Sequence, residues 1–200
     1  MYKIKRFMGG AAALIFVQTA VFAQSQLNLF NGKRNTLEKN SMLVLSSWAS
    51  ANILSGGVGW LTTSDESAYF HQMNAGWNLV NLGLGISGYL RAMKEDYVDY
   101  DLQKSITAQR RVNNAFLFNT ALNGTYMTIG LLLKERANSS PDQASLLRGY
   151  GNSLLLQGGF LLLFDATNFI LHNRNRTHRL DPIILNLSLK GNELGVVLNF

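Results

Sequence analysis

Charge is missing from this chain in long blocks, and that constrains its fold more than any other feature. Between Lys39 and Asp65 lie 25 residues with no Asp, Glu, Lys or Arg. The corresponding gaps are 24 residues between Glu66 and Arg91, 22 between Arg111 and Lys134, and 16 between Arg148 and Asp165. Apolar character continues past Asp165 to Leu171. A membrane-crossing helix needs about 20 predominantly apolar residues, whereas a helix on the surface of a soluble protein shows charges along its wet face. These four blocks read as a membrane bundle of four helices, arranged as two hairpins over 41–93 and 112–172. Charged residues make up 15% of the chain, against about 25% in a typical soluble domain.

The blocks are not uniformly greasy, and mean hydropathy is only +0.04. Their polar residues recur at helical spacing. Asn74, Asn78, Asn81, Gly85 and Gly88 form one stripe of the second helix. Trp48, Asn52, Ser55 and Gly59 form one in the first. Asn119, Asn123, Tyr126 and Gly130 do so in the third, and Tyr150, Gln157, Asp165, Asn168 and His172 in the fourth. In lipid, small and amide side chains belong between helices, where they allow close approach and interhelical hydrogen bonds. The expected polar seam is therefore Asn74, Asn78, Asn81, Asn119, Asn123, Gln157, Asp165, Asn168 and His172. Trp48, Trp60, Trp77, Tyr69 and Tyr89 lie near segment ends, as an aromatic belt at the membrane interface requires.

The N-terminus reads as a secretory signal over 1–23. Lys3, Lys5 and Arg6 precede a small, apolar run from Gly9 to Ala23, and Val21-Phe22-Ala23 offers small residues at both positions before a cut. A polar exported segment, 24–40, follows. The chain contains no cysteine, which excludes disulfides, thiolate metal sites and cysteine nucleophiles. At the C-terminus, Leu185, Leu187 and Leu189 alternate with polar residues. Gly191-Asn192 marks a turn, and Leu194 to Phe200 alternates again. This predicts a β-hairpin over 183–200, a surface for a protein partner. Leu27 and Leu29 also alternate, and the 26–30 segment is expected to pair with the hairpin as a small sheet. Four spans put both ends on one side. The signal places that side outside the membrane, where the 91–111 segment carries five Lys/Arg. The positive-inside rule favours the reverse, and the signal-based orientation is retained against it.

Formal net charge is +6, but three of those charges lie in the first six residues. No basic stripe interleaved with aromatics appears, so nucleic acid is not the expected partner. Gly83-Leu84-Gly85-Ile86-Ser87-Gly88 matches G-x-G-x-x-G. A dinucleotide loop needs a strand before it and a helix opening at it; inside a helical run these are packing glycines. No carboxylate–histidine spacing suggests a metal, and no paired carboxylates on one face suggest acid–base chemistry. Asp165 is the sharpest single residue, because an ionisable group in a span costs about 2.5–3.5 kcal/mol on insertion scales. The sequence thus points to a non-catalytic envelope protein of structural or assembly type, with no cofactor and with the lipid bilayer as its partner. A small transporter or channel-like unit using the seam around Asp165 is the alternative. A membrane enzyme using Asp165 and His172 is the third reading.

Overall fold

The computed structural model describes residues 2–186, with side-chain surroundings from Phe22 onward. Four long helices account for most of it: α1 (Tyr2–Thr62), α2 (Asp65–Lys94), α3 (Leu102–Arg136) and α4 (Ala144–Asn175). α1 and α2 are joined by Thr63 and Ser64 alone. The turn is completed by Asp65, whose φ of 50° lies in the left-handed region, which Asp tolerates better than most residues. Asp65 and Glu66 open α2 and Arg91 and Lys94 close it, each sign complementing the helix dipole. Asp101 caps α3 by accepting the Lys104 backbone N–H at 2.7 Å. Two 3₁₀ turns, Ala137–Ser139 and Pro141–Gln143, lead into α4. A π turn at Arg176–Leu180 then widens the helix ahead of Pro182, before helical residues 181–186. The wide turn suits a residue that has no N–H and whose ring crowds the carbonyl four residues back.

The helices meet mainly as α1 on α2 and α3 on α4, with α2 also resting on α4, while α2 and α3 scarcely touch. Glycines make these approaches possible. A methyl group on Gly85 or Gly88 would run into Ser46 or Met42 of α1. One on Gly56 would sit 2.9 Å from the His71 carbonyl of α2. Gly130 and Gly151 face each other, so that a Cβ on either would lie 2.7–2.8 Å from the other's carbonyl oxygen. Gly149 abuts the α2 backbone at Glu66 and Phe70 in the same way. Gly83 has open space around it, so the G-x-G-x-x-G match lies mid-helix, with two glycines that pack and one that does not.

The interior is polar and the exterior apolar. Among the described residues, buried polar or charged side chains outnumber buried apolar ones, 18 to 14. Meanwhile Leu54, Leu61, Val80, Leu132, Leu163 and Ile170 are each more than 60% exposed. Two helical stretches, Leu102–Ser139 and Pro141–Asn186, are long and apolar enough to cross a membrane, and most of the apolar window in each is not buried within the protein. α2 and the part of α1 from Phe22 onward do not reach that threshold, because Asn, Ser and Gly dilute their apolar runs.

One end of the bundle extends into a second packed layer, a collar. Here Leu27 and Phe30 of α1 pack with Leu180 and Ile183, joined by Leu102, Ile106 and Ile184. This corrects the expectation of a strand at 26–30. The segment is helix; Leu27 is 5% exposed and Leu29 59%, so the two leucines do not share a face. The segment 24–40 lies within α1. Residues 183–186, the start of the expected hairpin, are helical too, because Ile183 is held in this cluster. The remainder of that hairpin, 187–200, lies outside the described residues.

Candidate functional site

The expected seam is largely assembled, in separate clusters. Asn74, Asn78, Asn81, Asn123, Gln157, Asp165, Asn168 and His172 are all buried, while Asn119 is exposed. Mid-bundle, Trp48 Nε1 donates to Gln157 Oε1 at 3.0 Å. Gln157 Nε2 in turn donates to Asn74 Oδ1, and Asn74 Nδ2 to Asn52 Oδ1 at 2.7 Å. Asn78 and Asn81 extend this chain along α2. Three helices are thereby tied through side-chain amides. Trp48 belongs to this interior and not to an interface belt; its ring stacks on Phe160 at 3.8 Å, nearly parallel. Separately, Asn123 Nδ2 donates to Asp165 Oδ2 at 2.6 Å, joining α3 to α4, and Ser41 bonds Asn168, joining α1 to α4.

Because α2 and α3 scarcely meet, a cleft of about 1190 Å³ opens between them, floored by α1 and α4. Trp77 and Tyr126 close its inner end edge to face, 4.8 Å between ring centres. Its walls are apolar, with Val80, Leu84, Leu122, Phe116 and Phe164 among them, and the pair Asn123–Asp165 reaches it from the floor beside Asn119. His172 is not among the lining residues; it stacks against Phe116 at 5.5 Å instead. The cleft thus reaches Asp165 and not His172. Among the described residues, no group of three His, Asp or Glu side chains stands close enough to hold a metal ion.

At its outer end the cleft meets a buried charge cluster that the sequence reading missed. Arg34 is fully buried. Its guanidinium holds Glu38 at 2.6 Å and Glu95 at 2.9 Å. Glu95 also accepts from Asn35 at 3.1 Å and from the Tyr100 hydroxyl at 2.9 Å. The two carboxylates diverge in acidity. Burial pushes Glu38 above the usual carboxylate range; Arg34 only partly offsets this, and the neighbouring Glu95 charge adds to it. Burial also raises Glu95, but its bonds from Arg34, Asn35 and Tyr100 outweigh that and hold it below the usual range. Asn31 donates to Ser105, Gln109 to the His172 carbonyl, and Asn175 to the Phe30 carbonyl, so the collar is cross-braced by polar side chains. A signal for this was available. Leu27, Asn31, Arg34, Glu38, Ser41, Leu45, Trp48 and Asn52 follow one another at three- and four-residue steps, the period of a single helix face.

Arg91, Lys94 and Arg111 also line the outer end, all three are exposed, and none makes an ion pair among the described residues. The site thus joins a long apolar cleft, a carboxylate deep in its floor and a cationic mouth. No curated protein and no solved structure matches the chain. Residues 44–166, more than half of it, match a family of unknown function, DUF6992. The chain belongs to that family.

Proposed function

We propose that this chain is a non-catalytic integral membrane protein of the cell envelope, exported by its signal, with a structural or assembly role. The observation that carries this reading is the reversal of its surfaces. Amides, Arg34 and Asp165 are buried, while large aliphatic side chains are exposed along all four helices. In water that exterior would far exceed the apolar patches monomeric proteins tolerate. In hydrocarbon it is the favoured arrangement, because buried amides then bond across helices and glycines let backbones approach. α2 and the 41–62 part of α1, too polar to register alone, would span as partners of α3 and α4. The collar would stand clear of the bilayer at the end rich in Lys and Arg. Alkaline carbonate extraction of membranes tests the reading. The full chain is expected to stay in the pellet, and its release with peripheral proteins would overturn it.

A second reading, proton or cation passage, has one observation in its favour: the cleft reaches Asp165 and its partner Asn123. Asp165→Asn separates the two. A structural protein keeps its fold, since the amide still bonds Asn123, and loses about 1 kcal/mol or less. A proton- or cation-coupled carrier folds but loses flux altogether, measured as dye-reported uptake into vesicles.

A further inference from the structure

We propose that the cleft between α2 and α3 holds one anionic membrane lipid, an acyl chain along its apolar walls and the headgroup at Arg91, Lys94 and Arg111. The inference rests on the membrane reading above. The cleft is closed at its inner end by the Trp77–Tyr126 pair and open where α2 ends. From Trp77 to Arg91 it runs about 21 Å at the helical rise per residue, enough for a chain filling one leaflet of a core about 30 Å thick. Its volume of about 1190 Å³ exceeds the roughly 300–1,000 Å³ usual for small-molecule pockets.

Charge selects the headgroup. Of the charged side chains at the mouth, Glu38 and Glu95 are already ion-paired with buried Arg34, and Glu38 also feels Arg91 at longer range. Arg91, Lys94 and Arg111 are left without an ion-pair partner among the described residues. They stand where α2 leaves and α3 enters the apolar run, the level at which basic side chains between membrane helices meet lipid phosphates. A zwitterionic headgroup would add a cation to a mouth that already has an excess of them. A second copy of the chain would have to supply both an apolar ridge and an acidic terminus. The exposed Leu54, Val58 and Leu61 of α1 do run towards the exposed Asp65, so a second copy is the competing occupant, which would show as a lipid-free dimer.

The test uses the full chain, reconstituted into vesicles of equal parts phosphatidylglycerol and phosphatidylcholine. It is then released for native mass spectrometry. One retained phosphatidylglycerol is expected, favoured over phosphatidylcholine by about fivefold or more for each cation that engages it. The triple variant R91Q/K94Q/R111Q should bring the two lipids to parity. Ala115→Trp, which fills the cleft wall, should lose both while helicity is kept. Equal retention of the two lipids by the unaltered chain, no retention, or a lipid-free dimer would each overturn the proposal. So would a triple variant that keeps the preference. A chain that never enters the vesicles would overturn the membrane reading as well, whereas one that enters and retains nothing sinks the lipid site alone.

Discussion

Arg34 is where the chemistry of a single side chain decides most. A guanidinium that is fully buried is tolerated because two carboxylates face it, and removing one member of such a group leaves an uncompensated charge. Arg34→Met should therefore cost about 3–5 kcal/mol, read as a loss of thermal stability in detergent. The two acids should not behave alike. Glu95 has its charge stabilised by three donors, so Glu95→Gln should cost about 1.5–3 kcal/mol. Glu38 is charged against the cost of burial, so Glu38→Gln should be close to neutral. The pH dependence follows with opposite signs. Glu95, acidified by folding, stabilises fully above the unfolded carboxylate range, and that contribution is lost as pH falls through its lower folded value. Glu38, made less acidic by folding, binds its proton more tightly in the native state. Its contribution rises as pH falls through its folded value and is complete below the unfolded one. A melting profile against pH should thus show a mild gain on leaving neutrality before the acid loss. Glu38→Gln should abolish the gain and leave the acid loss intact. A profile unchanged by Glu38→Gln would show that its charge is not strained.

At the scale of elements, the sequence carried the helices and lost the connections. The absence of charge over 40–64 and 112–133 pointed to helix through the membrane reading, because in hydrocarbon a spanning segment must satisfy its own backbone hydrogen bonds. The stripes were legible from their helical period, and every amide in them but Asn119 ended inside, while Ser55 is exposed. The Leu27/Leu29 alternation misled because two leucines two apart fit a strand and also fit opposite faces of a helix. Only the longer run through Arg34 and Ser41 decides between them. The place of Arg34 on that face was legible, but its pairing with Glu95, 61 positions away, was not, since the fold alone brings the two together. The G-x-G-x-x-G segment allows a sharper test at this scale. Gly83 has open space and should gain about 0.5–1 kcal/mol on substitution by Ala through helix propensity. Gly85 faces Ser46 and the Met42 carbonyl, and Gly85→Ala should lose about 1–3 kcal/mol through overpacking. Paired melting curves check this. A phosphate loop, by contrast, would require both glycines.

For the whole molecule, the decisive property is that both layers use polar interiors but differ outside. If the bundle lies in lipid, as proposed, its amide contacts should average about 0.6 kcal/mol each, so no single one would secure it. Cohesion comes from the sum of bonds spread over Trp48, Asn52, Asn74, Gln157, Asn123 and Asp165 with close glycine contacts. Two apolar clusters add to this, one in the collar around Phe30 and Leu180 and one in the bundle, where Leu45, Phe116, Leu161 and Phe164 pack together. The chain has no cysteine, so single cysteines can map this boundary without background. Placed at Leu132 or Leu163, on the exposed apolar band, a cysteine should resist a water-borne maleimide in intact membranes and react once detergent is added. Placed at Asp99 or Thr177 it should label from the collar side, and at Thr63 or Asn138 only from the other. The signal-based orientation predicts collar labelling on intact cells. The Lys and Arg concentrated at the collar end argue for the inverse, so labelling of Thr63 in its place would show that charge, not the N-terminal segment, sets the topology. Equal labelling of Leu132 and Asp99 in intact membranes would mean that the apolar band is wet, and the surface reversal would then need an occupant other than lipid.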